Sequence, residues 1–232
     1  MYNITYTDIK EVKKILKKII NIIYPQTCSI CGKLNSNALC SKCSKKLEKE
    51  YCFKKDNYQD DFNKNFIEHY YFFWYKDLIR SQIISLKFNE RPYISQTIAY
   101  FLKKMKKSFE KLKIYDIIIV VPVSRKRRNE RGYNQSELIA RAISKTLGIP
   151  IVKNVLVKIK NTAPQSSLNK VQRAENAKGV YSAKNHTKLR NKKILLIDDI
   201  YTTGSTLNEC ANALIQKGIK REQIGVLTLA KD

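Results

Sequence analysis

The chain has 232 residues, 43% of them hydrophobic, enough to bury one α/β domain with a small appendage. Its 45 Lys+Arg against 20 Asp+Glu give a net charge of +25, a field that attracts polyanions and makes any nucleic-acid binding strongly salt-dependent. No apolar run approaches the roughly 20 residues of a bilayer span, and no secretory leader opens the chain, so a cytoplasmic protein is expected. Lys outweighs Arg in the excess, which therefore does not itself signal bidentate recognition; a Lys-, Ile- and Asn-rich composition poor in Gly accounts for it equally.

Residues 8–24 have helical periodicity. Ile9, Val12, Leu16, Ile19, Ile20 and Ile23 share a face opposite a row of lysines, and Pro25 stops the helix. Such a basic amphipathic helix suits an anionic membrane or a partner, but packing on the domain is the commoner outcome. Next come Cys28-x-x-Cys31 and Cys40-x-x-Cys43, with eight residues between the pairs. Two such knuckles present four thiolates to Zn²⁺ in a closed, structural site, and nearby lysines offset its charge. A pair of disulfides is the disfavoured alternative in a cytosolic protein. Cys52 reads as a spare thiol and Cys210 as a core residue.

The polar stretch 53–65 is the expected boundary. It divides an amphipathic helix (1–24) and a four-cysteine zinc knuckle (25–52) from an α/β domain (66–232). Ile67 to Tyr75 is aromatic and strand-like; Trp74 and its tyrosines can stack on bases, but such a run is more often core. His69 and His186 have no catalytic partner in sequence. Helices are predicted over 77–88 and about 93–110, then a strand from Ile117 to Val123. The cations Arg125, Lys126, Arg127, Arg128 and Arg131 follow that strand. A positive loop at a strand's carboxyl end suits a diphosphate, or else is a solvated or DNA-facing patch. A helix over 135–147 stops at Gly148, a strand over 151–159 follows, and the long polar stretch 160–180 reads as a lid.

Lys192 to Asn208 reads as strand, loop and helix start. Ile194 to Ile197 suit a central strand buried on both faces. Asp198 and Asp199 follow, then Thr202, Thr203, Gly204, Ser205 and Thr206. Hydroxyls and backbone N–H groups at a helix N-terminus cradle a phosphate. Two acids beside that cradle make sense if they hold ribose hydroxyls, Mg²⁺ or both, so the ligand would be a phosphorylated sugar. A last strand, Ile224 to Leu229, completes a doubly wound, mainly parallel sheet.

The run from Ile194 to Thr206 resembles the phosphoribosyl diphosphate (PRPP) motif of type I phosphoribosyltransferases. That resemblance implies that Asp198 and Asp199 meet the ribose. It implies further that Thr202, Thr203, Gly204, Ser205 and Thr206 wrap the 5′-phosphate, and that Ser124, Arg125 and Lys126 grip the pyrophosphate. A narrower resemblance is carried by the leading helix, the paired CxxC, Leu-Lys-Phe at 86–88, Arg-Gly-Tyr-Asn-Gln at 131–135, Thr-x-x-Gln-x-x-Leu at 162–168 and Arg-x-Glu-Asn at 173–176. In this order they resemble the ComF (ComFC) family. It implies a competence-associated protein of phosphoribosyltransferase fold that uses PRPP with Mg²⁺, contains structural Zn²⁺ and handles incoming single-stranded DNA. Its implied partners are a helicase-like protein and other DNA-uptake proteins, with membrane association through them. The alternative is an active phosphoribosyltransferase with no direct DNA role. The sequence shows no general base for an acceptor.

Overall fold

A computed structural model describes residues 27–35, 38–88, 94–160, 178–184 and 189–232. The predicted 8–24 helix, His186 and nearly all of the predicted lid lie outside these residues.

Ser41–Glu50 form α1, Tyr51–Asn57 β1 and Glu68–Trp74 β2. Asp77–Phe88 and Ile94–Lys104 are α2 and α3. Ile117–Val120 form β3, Arg125–Arg131 α4 and Gln135–Leu147 α5. Leu156–Lys158 and Tyr181–Ala183 are β4 and β5, a two-stranded antiparallel hairpin. Ile194–Tyr201 form β6, Ser205–Ile215 α6 and Ile224–Lys231 β7.

The main sheet runs β1-β2-β7-β6-β3. Neighbours are parallel except β1, which is antiparallel to β2. Strand β6 lies inside the sheet, between β7 and β3, and Ile194 to Ile197 are fully buried. Each such side chain contributes roughly 1.5–3 kcal/mol by leaving water. On one face α2, α3 and α5 pack through Ile83, Phe101 and Ile143 against Leu195 and Ile197. On the other, α6 and the hairpin pack through Leu207, Ala211 and Leu156 against Ile194, Leu196 and Val226. The expected doubly wound sheet is therefore present.

Helix α5 spans the predicted residues because its ends are written in sequence. The Asn134 side chain accepts from Ser136 N, and Gly148 leaves the helix at φ 81°. The predicted helix 93–110 instead ends at Lys104, and a 3₁₀ segment covers Lys106–Ile114. Its buried residues, Phe109 and Leu112, are three apart, the spacing a 3₁₀ turn stacks on one side. The predicted 151–159 strand is reduced to a bridge at Ile151 and to β4, because Asn154 turns the chain at φ 60°.

The boundary at 53–65 also differs from expectation. Its first residues belong to β1, the sheet's edge strand. The remainder is a loop organised by one guanidinium. Arg221 donates to the carbonyls of Tyr58 (2.5 Å), Lys64 (2.7 Å), Gln59 and Asp61 (both 3.0 Å). The polar composition reflects an exposed edge and loop rather than a linker. His69 is structural: it is buried on β2, contacts Thr228 Oγ1 at 2.9 Å and Asp56 at 3.3 Å, and stacks on Tyr201 at 4.1 Å. Burial, opposed by Asp56, holds its pKa below the ordinary value.

Gly225 on β7 lies under the ring of Tyr115, whose hydroxyl donates to Glu68 at 3.1 Å. A Cβ there would overlap that hydroxyl. Gly225→Ala should therefore cost about 1–3 kcal/mol of stability by overpacking, read as a shifted midpoint in urea unfolding. An unchanged midpoint would show that the Tyr115 ring moves freely aside.

Candidate functional site

The carboxyl ends of β3, β6, β7 and β2 open onto a cavity of about 570 Å³. This is where open α/β sheets place ligands, and the volume lies within the roughly 300–1,000 Å³ of substrate pockets. Asp198, Asp199 and Thr202 through Thr206 all line it.

Asp198 is held in place from two sides. Ser136 Oγ donates to its Oδ1 at 2.8 Å, and the Asp199 backbone N–H donates to the same oxygen at 2.9 Å. Ser136 itself is placed by the Asn134 cap and by the Asn134 amide, which donates to Val121 O at the end of β3. Helix α5 thus aligns the acid of the neighbouring strand. Gln135, between these two residues, also lines the cavity; its buried Nε2 has no partner among the described residues. An orphaned buried donor beside a cavity is a mark of a missing polar ligand.

The basic stretch is a short helix, and this decides which of its cations line the cavity. Ser124 caps it by accepting from Arg127 N. Arg125 and Lys126 are exposed and, like Ser124, are absent from the cavity wall. Arg127 and Arg131, one helical turn apart on the same face, line it instead. Reading 125–131 as a helix capped by Ser124 would have found them. Arg80 and Lys158, not singled out in the sequence, line it too. Burial and then Arg127 push Arg131 below its usual pKa, with Asp199 opposing. Burial and Arg127 do the same to Lys158, with Cys210 and Asp198 opposing. Arg127 therefore crowds two other cations, a strain that a bound anion relieves.

The hydroxyl loop is pinned from below. Gly204 is the N-cap of α6 at φ 75° and offers no side-chain cap of its own. Thr203 Oγ1 lies 2.8 Å from Ser205 Oγ and accepts from Ser205 N at 3.3 Å. The Tyr181 hydroxyl bonds the Thr206 side chain. A Cβ on Gly204 would run into the ring of Tyr201, which is stacked on His69. Both the left-handed φ and this close approach demand glycine. The loop leaves a helix N-terminus facing the cavity, with hydroxyls around it.

At the other end, the Sγ atoms of Cys28, Cys31, Cys40 and Cys43 lie within 4.8 Å of one another. Cys31 and Cys40 sulfurs are 3.8 Å apart, the edge of a tetrahedron whose Zn–S bonds are about 2.3 Å. The donor set fits a structural zinc. Burial raises the Cys28 thiol, but N–H groups of Cys40, Cys31 and Ile30 and the Cys31 thiol outweigh it and bring the pKa to about 6. Burial and the surrounding sulfurs push Cys43 up. A thiolate forms readily at Cys28, and a divalent cation would offset the burial that opposes one at Cys43. Cys52 lies apart on β1, its Sγ directed at Phe72 O, and Cys210 is fully buried on α6.

The knuckle is not a free appendage. Cys28, Leu39, Cys43 and Leu47 belong to the same core cluster as Phe73 and Phe101. Ser29 Oγ pairs with Thr97 Oγ1, and Lys104 bonds Glu48 at 2.7 Å.

A mostly parallel sheet with an acid pair and a glycine-hinged hydroxyl loop at its carboxyl edge, joined to a four-cysteine knuckle, is a phosphoribosyltransferase fold bearing a zinc ribbon. Residues 133–232 match the phosphoribosyl transferase domain and residues 19–55 the double zinc ribbon domain. Competence protein F of Haemophilus influenzae is 30% identical over 210 residues, covering 88% of this chain and 90% of that protein. Competence protein ComFC of Bacillus subtilis is 28% identical over 159 residues, 68% of this chain and 61% of that one. DNA utilization protein YhgH of Escherichia coli (strain K12) is 28% identical over 148 residues, 62% of this chain and 64% of that one. The chain belongs to the ComF family.

Because the knuckle and the sheet share a core, Cys28→Ser with Cys31→Ser should lose bound zinc and lower the melting temperature of the whole chain in one transition. Metal analysis and calorimetry check this. A zinc-free native protein would sink the metal site, and a second, unshifted transition would sink the shared core.

Proposed function

We propose that this protein acts in competence by binding PRPP with Mg²⁺ and handling incoming single-stranded DNA. The observation that carries the ligand reading is the division of charge in the cavity. Asp198 and Asp199 stand beside a helix N-terminus ringed with hydroxyls, while Arg127, Arg131 and Lys158 line the same cavity and Arg127 acts on both of the others. A sugar with phosphates at two ends satisfies all three groups. Its hydroxyls would go to the acids, its 5′-phosphate to the 202–206 loop and its diphosphate to the cations, and Asp198 and Asp199 would hold the Mg²⁺ that offsets the diphosphate charge. Arg127 and Arg131 take the diphosphate role that the resemblance assigns to Ser124, Arg125 and Lys126. Support for the DNA reading comes from the net charge of +25 and from relatives named for competence and DNA utilization.

A second reading, phosphoribosyl transfer to an acceptor, is supported by the match of residues 133–232 to transferases. The diphosphate then leaves from the anomeric carbon, with the cations stabilising its charge. An acceptor-dependent loss of PRPP marks this reading.

Calorimetric titration of PRPP tests the ligand site. Binding should require Mg²⁺ and weaken about tenfold or more in Asp198→Asn/Asp199→Asn, since hydrogen bonds to charged groups contribute ~1.5–3 kcal/mol each. Equal affinity in that variant would move the ribose elsewhere. Affinity for single-stranded DNA should fall steeply with salt; a flat response would count against the basic surface.

A further inference from the structure

The aromatic run on β2 divides in two. Tyr70, Tyr71, Phe72 and Phe73 are buried, as the core reading of this stretch expects, but Trp74 is 36% exposed. It stands where β2 leaves the sheet, one residue before Tyr75, whose N–H donates to Lys231 O. The edge-on Tyr71 ring, 5.1 Å away at 61°, fixes its orientation. Lys54 Nζ lies 5.5 Å and Lys231 Nζ 5.8 Å from the indole centroid. Lys231 is tied to Asp56 at 2.8 Å. Lys54, Lys76 and Arg80 form no ion pair among the described residues.

We infer that Trp74 is a stacking platform for one base of a single strand, with Lys54, Lys76 and Arg80 holding the flanking phosphates. This rests on the DNA reading above and assigns it a surface. A rigid aromatic face bordered by unpaired cations is the recurring design for sequence-tolerant single-strand binding, whereas a duplex hides its base faces. The more exposed Phe62 lacks this setting, since its loop carries Asp60 and Asp61 and the Arg221 beside it is bound to four loop carbonyls. The platform also has a defined neighbour: Tyr75 and Arg80 line the ligand cavity. A strand on Trp74 therefore passes the cavity mouth.

Trp74 is the chain's one tryptophan, so its own emission reports the contact. Titration of the full-length, zinc-loaded protein with a short oligothymidylate should quench that emission saturably, and salt should reverse it. Trp74→Ala should weaken strand binding, measured by anisotropy of a labelled strand, by roughly tenfold. Trp74→Leu fills the same position without an aromatic face and should show the same loss, which serves if the alanine variant does not fold. Strand binding by the native protein with unchanged emission, and with equal affinity in Trp74→Leu, overturns the platform and leaves the DNA reading standing. No strand binding by folded, zinc-loaded protein at low salt overturns both.

Discussion

Within one residue, strand β6 passes from hydrocarbon to carboxylate. Ile197 is fully buried and Asp198 is its neighbour. A central strand can carry an acid at this point only if the acid's hydrogen-bonding needs are met on the spot. The Ser136 hydroxyl and the Asp199 backbone meet them. That requirement fixes where α5 begins, hence the Asn134 cap and its grip on the end of β3. On the other side of β6, Tyr201 wedges against Gly204 and sets the hydroxyl loop above the sheet. The cavity's shape follows from how a buried strand is allowed to carry acids near its end.

Charged groups reach this point from several elements. Asp198 and Asp199 come from β6, Arg127 and Arg131 from α4, Lys158 from β4 and Arg80 from α2. The hydroxyls sit where α6 begins. Each group occupies an element whose backbone it suits: a short helix turns Arg127 and Arg131 to one side, while a glycine-capped helix start offers N–H groups no side chain could replace. None of these elements alone makes a binding site. The parallel sheet brings their ends to one edge, as such topologies do.

Much of this is legible in sequence because it depends on local rules. The apolar run of β6, the caps of α5 and the spacing of four cysteines each state their structure within a few residues. What stays hidden depends on neighbours far along the chain. Strand β1 reads as a linker because an edge strand in water has no need of apolar alternation. The loop after it is ordered by Arg221, well over a hundred residues away. Arg125 and Lys126 stand out ahead of Arg127 and Arg131 because a run of cations does not say which way a helix will turn them. Trp74 reads as core because its neighbours are core, and only the strand's departure from the sheet brings it to solvent.

The knuckle's dependence on the rest of the core has a consequence for how the protein is made. Ser29 meets Thr97 across 68 residues, and Phe101 shares the core of Cys28 and Cys43. A ribosome therefore releases the four thiols well before the helix that covers them. Until that helix arrives, packing from the rest of the core cannot hold the four sulfurs together, and the knuckle's own short-range contacts must do so alone.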